Sequence, residues 1–141
     1  MTDYLARCHC GALTARYQTA KSPAEWPIRA CQCSFCRAHG ALSTSDPAGM
    51  LQFSCSSPDL LQRYRFGTGS ADFLICRACG VYLGAQTTRD GHRFGVLNVL
   101  TVVPALSVLP ADVPMSYDGE TADARYERRQ GRWTPLTVDS M

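Results

Sequence analysis

The chain has 141 residues, a formal net charge of +2, 45% hydrophobic residues and 18% charged residues. That length suits one domain with a real core, and the composition excludes an intrinsically disordered chain. The weak net charge argues against a dedicated nucleic-acid binder, which concentrates basic residues in a stripe. No apolar run approaches the roughly 18 residues of a membrane helix. The N-terminus, Met1-Thr2-Asp3-Tyr4, lacks the basic-then-apolar layout of a signal peptide. We therefore expect a cytoplasmic protein with reduced thiols, working without nucleic acid or membrane.

In chain order, the first segment that carries chemistry is Cys8-His9-Cys10-Gly11, a tight thiol pair with a trailing glycine. Residues 12–17 alternate and predict a strand. Cys31-Gln32-Cys33-Ser34-Phe35-Cys36 follows, with three thiols within six residues. Residues 35–39 predict one helical turn with Ser34 as its N-cap. Short strands are predicted at 41–45, 61–66, 71–75 and 81–86, punctuated by Gly67-Thr68-Gly69-Ser70 and by Cys76-Arg77-Ala78-Cys79-Gly80. Residues 93–103 form the longest apolar segment and predict one or two core strands. Residues 104–114 carry three prolines and predict an extended connector. Residues 121–130 are good helix formers that stop at Gly131, predicting a short C-terminal helix. The sum is a mainly β fold with short helical turns. The densest basic stretch, 125–132, is interrupted by Glu127 and reads as a solvated face or tail, with an anion-binding patch as the alternative.

Seven of the eight cysteines thus group as two, three and two. A structural zinc takes four thiolates, whereas a catalytic zinc commonly keeps three protein ligands and one open position. Cys8 and Cys10 supply half a tetrahedron, and Cys76 and Cys79 supply the other half. Together they would tie two distant segments into one structural zinc site, so that metal binding becomes part of folding. Cys31, Cys33 and Cys36 make a second zinc site. Its fourth position falls to Cys55, to His39, or to water or substrate, and we favour the open position. As a lone cysteine, Cys55 reads first as a small buried hydrophobe.

Zinc held by three thiolates is a poor Lewis acid but accepts a soft sulfur donor, which points to thiol chemistry more than to amide hydrolysis. Arg37, beside Cys36, is a candidate to grip a substrate carboxylate, with surface ion pairing as the alternative. His9 should point away from a metal held by its neighbours, and His92 in Asp90-Gly91-His92 reads as a turn residue. Trp26, Trp133, Phe35 and Phe73 read as core or pocket wall. Asn98, inside an apolar run, must be a structural bridge or a pocket residue if it is buried. Gly67-Thr68-Gly69 is too short for a phosphate-binding loop.

Cys8-His9-Cys10-Gly11-Ala12, Cys31-x-Cys33-Ser34-x-Cys36-Arg37 with Gly40-Ala41, and Ile75-Cys76-x-x-Cys79-Gly80-x-x-Leu83-Gly84 occur in one order and spacing. Together, across residues 5–100, they resemble the glutathione-dependent formaldehyde-activating enzyme family, which includes centromere protein V. The resemblance implies a β-tent type zinc-binding fold. It places a structural zinc on Cys8, Cys10, Cys76 and Cys79 and a catalytic zinc on Cys31, Cys33 and Cys36, hence two zinc ions per chain. It also implies a carbon–sulfur lyase activity that joins formaldehyde to glutathione, giving S-(hydroxymethyl)glutathione. A small-molecule thiol such as glutathione is then the expected partner. Gln32 stands where the family often carries histidine, and Cys55 where many members carry glycine. We expect a single domain over 1–141, with a family-like core over 5–103 and a C-terminal extension over 104–141. Two alternatives stay open: a non-catalytic zinc module that binds a protein through two closed sites, and a single zinc site beside a redox-sensing triplet.

Overall fold

The computed structural model describes all 141 residues. Its strands in chain order are β1 (Thr2–Arg7), β2 (Leu13–Thr19), β3 (Arg29–Cys31), β4 (Ser43–Thr44), β5 (Met50–Cys55), β6 (Leu61–Tyr64), β7 (Asp72–Cys76), β8 (Tyr82–Arg89), β9 (His92–Asn98), β10 (Val102–Val103), β11 (Val113–Met115) and β12 (Thr134–Pro135). The helices are α1 (Ser34–His39) and α2 (Ala122–Arg132). The fold is mainly β with a few short helices, as expected.

One sheet runs β10-β1-β2-β5; the other runs β11-β3-β4-β9-β8-β7-β6, with β12 paired to β9. In β2 the period-2 pattern sends Leu13, Ala15, Tyr17 and Thr19 inward and leaves Thr14 and Arg16 exposed. Leu51 and Phe53 of β5 join that inner face. Opposite them stand Leu74, Leu83 and Leu97 of the second sheet, and Trp26 completes the principal core. Trp26 takes the rings of Tyr4 and Tyr17 edge-on, at centroid distances of 4.8 and 5.3 Å. From Tyr82 to Thr87 every residue of β8 is buried, because this strand is central and covered on both faces. Its hairpin with β9 turns at Asp90-Gly91, with φ of 53° and 77°. Two successive positive φ angles suit the right-handed twist of a tight hairpin.

Several local expectations are sharpened or corrected. Of the one or two strands expected at 93–103 the structure has two, β9 and β10, and they lie in different sheets. Asn98 breaks the run by accepting a hydrogen bond from the Leu100 amide at 3.3 Å, capping a 3-10 turn over Val99–Thr101. The Asn98 amide also donates to the Tyr82 carbonyl at 2.9 Å, so this residue is a structural bridge. The N-cap of α1 is Cys33, not Ser34. The second helix is capped by Thr121, whose hydroxyl accepts from the Ala124 amide at 3.1 Å, and it runs through Gly131 to Arg132. Strands β1 and β5 were not foreseen.

After residue 103 the chain returns to both sheets. β11 pairs in parallel with β3, setting Met115 beside Cys31. β12 pairs with β9, and the Met141 amide donates to the Phe53 carbonyl at 3.1 Å. The Arg93 guanidinium donates to the carbonyls of Ser140 and Met141 at 2.8 and 2.6 Å. No helix is long and apolar enough to cross a membrane.

Candidate functional site

Two turns of matching construction bring the outer cysteine pairs together. Cys8 directly follows β1 and Cys76 ends β7. The Cys8 amide donates to the Leu13 carbonyl at 3.0 Å, and the Cys76 amide donates to the Val81 carbonyl at 3.1 Å. Gly11 and Gly80 close the two turns with φ of 83° and 80°, which a residue with a Cβ adopts only under strain. Their amides donate back to the carbonyls of Cys8 and Cys76, at 3.1 and 2.8 Å.

The four thiols converge, with all sulfurs within 4.8 Å of one another. Cys8 Sγ lies 3.8 Å from Cys10 Sγ, which lies 3.6 Å from Cys76 Sγ. A tetrahedron with Zn–S arms of about 2.3 Å has edges of about 3.8 Å. A disulfide would need about 2.05 Å, and all eight cysteines are free thiols. The donor set therefore fits a closed four-sulfur metal site. Cys8 and Cys76 are buried in the principal core, and the Leu13 amide donates to Cys8 Sγ at 3.2 Å. At Cys79 burial opposes ionisation, but the amides of Cys10 and Val81 and the neighbouring thiols outweigh it and hold the thiol down to about 6.

The triplet is built differently. Cys31 ends β3, Cys33 caps α1 and Cys36 sits in its first turn, buried. Their three sulfurs also lie within 4.8 Å of one another. The Cys36 amide donates to Cys33 Sγ at 3.4 Å. Hydrogen bonding from Cys36, against the opposing effect of burial, holds the Cys31 thiol down to about 5. The same pairing pushes Cys36 up, helped by burial. The pairing thus sets an ionised Cys31 beside a protonated Cys36, and a bound cation would displace the proton that Cys36 keeps. Burial, then the charges of Cys36, Cys31 and Cys33, push the Tyr82 phenol well above its ordinary value, so it stays a hydrogen-bond donor.

Neither Cys55 nor His39 belongs to the triplet cluster. Cys55 is half-buried on β5, opposite Leu13, and packs on the principal core. His39 is exposed and packs at a tilt against Phe35 with ring centroids 4.4 Å apart. His9 is exposed. The triplet lies in the wall of a cavity of about 300 Å³, and the four-sulfur cluster does not border it. Phe66, Phe73, Tyr82 and Trp133 form its apolar walls. Phe35 braces them from behind, with its ring 4.7 Å from Phe73 and 5.1 Å from Tyr82.

Arg37 is exposed on α1 and does not border the cavity. The arginines that do are Arg29, Arg125, Arg128 and Arg129. Three of them lie in the stretch read as a solvated face, and Arg129 is only 6% exposed, so that reading is corrected on this side of the helix. The missed signal was periodicity. Positions 125, 128 and 129 are spaced i, i+3, i+4 and share one helical face. Arg128 makes two 3.1 Å bonds from Nε to the Glu120 carboxylate and lies 3.5 Å over the Tyr117 ring. Sequence reasoning also passed over the Gly67–Ser70 loop, which borders the cavity and whose Ser70 holds Arg129.

Fold and site together define a mainly β protein with two cysteine clusters able to hold metal ions, one closed and one on a cavity. No protein-family model matches the chain, and no curated protein matches it. A crystal structure of a Rhodobacter sphaeroides protein, solved as a structural-genomics target, is similar at 30% sequence identity and a TM-score of 0.58, covering 78% of this chain and 97% of that one. The chain belongs to the same family as that protein.

Proposed function

We propose that this protein is a zinc enzyme of the carbon–sulfur lyase type, allied to the glutathione-dependent formaldehyde-activating family, which adds a small-molecule thiol to an aldehyde. One observation carries this reading: three thiols meet at a cavity with no fourth side chain among them, while the four-thiol cluster lies away from it. Cys31, Cys33 and Cys36 would hold the second zinc, and Cys8, Cys10, Cys76 and Cys79 the first.

Zinc bound by Cys31, Cys33 and Cys36 would supply the acidification that makes a substrate thiol a nucleophilic thiolate at neutral pH. The rest falls to the chain. In the reaction a C–S bond forms as sulfur attacks the carbonyl carbon, the C=O π bond breaks, and the oxygen takes a proton. Tyr82, kept protonated in the cavity wall, can donate a hydrogen bond to that oxygen as charge develops on it. Phe66, Phe73 and Trp133 narrow the space in which thiol and aldehyde meet, which favours addition by positioning.

Cys33→Ala tests the reading. Zinc-loaded wild type should turn over formaldehyde with glutathione or a smaller thiol. The variant should lose about 100-fold or more, since even residues that only orient metal ligands cost 10–100-fold. It should keep one metal and melt close to wild type, because the closed site is untouched. Unchanged turnover in the variant would contradict the proposal.

A further inference from the structure

We propose that the cavity beside the thiol triplet is a binding site for a small organic carboxylate, whose carboxylate is gripped by Arg129 and Arg125 and whose apolar body lies against Phe66, Phe73 and Trp133. This names the substrate class of the site read above and rests on that reading only for its catalytic use. The binding itself stands on separate observations.

Arg129 is 6% exposed, borders the cavity and has no acidic partner. Its Nη1 donates to the carbonyl and hydroxyl of Ser70, at 3.2 and 2.8 Å. Its Nε is buried without any hydrogen-bond partner, and the same is true of the Nε of Arg125. An arginine normally uses its Nε edge as half of the fork that meets a carboxylate. Arg29, also on the cavity, bonds the Ser45 hydroxyl and makes no ion pair. A buried, unpaired guanidinium is costly. Burial, then repulsion from Arg128 and Arg125, already holds Arg129 down to about 10. An anion in the cavity would offset that cost.

The charge balance favours a singly charged carboxylate over a phosphate dianion, because Arg29, Arg125 and Arg129 share the cavity wall with Asp118 and with a thiol triplet that, holding zinc as three thiolates, would carry one net negative charge. Arg128 is already neutralised by Glu120, and Asp118, exposed and unpaired, also borders the cavity. The apolar walls match a ligand with a hydrocarbon or aromatic body rather than a bare ion. Arg129 lies with its guanidinium carbon 4.8 Å from the Trp133 ring centre, so apolar wall and cation are continuous.

The test is calorimetric titration of the zinc-loaded full chain with 3-phenylpropionate, which carries no thiol and so reads binding apart from catalysis. Binding is expected, with the neutral 3-phenylpropionamide weaker by about tenfold or more, the loss that goes with a charged hydrogen bond. Arg129→Gln and, independently, Arg125→Gln should each weaken the carboxylate to a similar extent. Arg16→Gln, an exposed position on β2, should leave it unchanged. Two arginine variants guard against one that fails to fold, which zinc content and circular dichroism would reveal. An amide that binds as well as the acid, or wild-type affinity in both variants, would overturn the proposal. Inorganic phosphate displacing the ligand at lower concentration would overturn the choice of carboxylate. Retained binding in Cys33→Ala with lost turnover would support the site. Lost binding in the arginine variants with retained turnover of a neutral thiol would separate it from the catalytic reading.

Discussion

Cys76→Ser will leave a chain that does not hold its fold at room temperature, and a strong chelator will do the same to wild type. Cys76 is buried at 1% exposure and its partner Cys8 at 0%, both inside the principal core. Their cluster joins the turn after β1 to the turn after β7, and thus one sheet to the other. Structural zinc contributes about 10–16 kcal/mol of apparent binding free energy in small metal-folded domains. A whole domain is stable by about 5–15 kcal/mol, so losing the metal removes as much as the fold has to lose. Serine in place of the Cys76 thiolate also sets a hydroxyl in the principal core, where a polar group without a partner is costly. Circular dichroism melting with and without chelator is the measurement. Cys55→Ser serves as the control, because Cys55 lies outside both clusters and should stay within about 1 kcal/mol of wild type. A melt that ignores the chelator would contradict the structural role of the four-sulfur site.

Gly84→Ala is expected to cost about 3 kcal/mol or more, with the midpoint falling by roughly 6–12 °C for a domain of this size. A Cβ at position 84 would stand 2.4 Å from the Val96 carbonyl oxygen and 2.9 Å from Cζ of Phe53. The first is backbone of the neighbouring strand in a fully paired ladder, where Gly84 faces Leu97 on one side and Leu74 on the other. The second is a ring with no exposure at all. Neither can yield without opening β8 from β9 or lifting β5 from the core. Gly131→Ala gives the contrast. It adds a Cβ to open space on an exposed stretch of α2, and should stabilise by up to about 1 kcal/mol through helix propensity. A Gly84→Ala midpoint within about 2 °C of wild type would mean that the two sheets are packed less tightly here than the structure has them.

Most of the central strands were legible because their signal is local. Residues 12–17, 71–75 and 81–86 carry alternation or apolar runs bounded by glycine and cysteine turns, and β2, β7 and β8 fall on them. The division of the cysteines into four and three was equally readable, since each turn imposes its own spacing and the chain then brings the turns together. What escaped was set by distant partners. The sequence predicts no strand before residue 12, yet β1 pairs along its whole length with β2 and at its end with β10. β5 became a strand because β2 offers it an edge. The break in the run at 93–103 depends on one side chain, Asn98, finding the Leu100 amide and the Tyr82 carbonyl.

The cavity was hidden for the same reason. Its cationic side comes from α2, which reaches the triplet only because β11 docks beside β3 and β12 beside β9. An arginine-rich helix read without its partners looks like a solvated face. Only the packing sends Arg129 inward while Gln130 stays exposed.

The central claim is that the chain holds two unequal metal sites, one closed and one open to a cavity. Metal analysis of the purified protein combined with zinc-edge X-ray absorption tests it most directly. The expected result is two zinc ions per chain with an average first shell of between three and four sulfurs. Cys33→Ala should reduce this to one zinc with a clean four-sulfur shell. Two zinc ions that both show four sulfurs from the chain, or a single zinc in wild type, would contradict it.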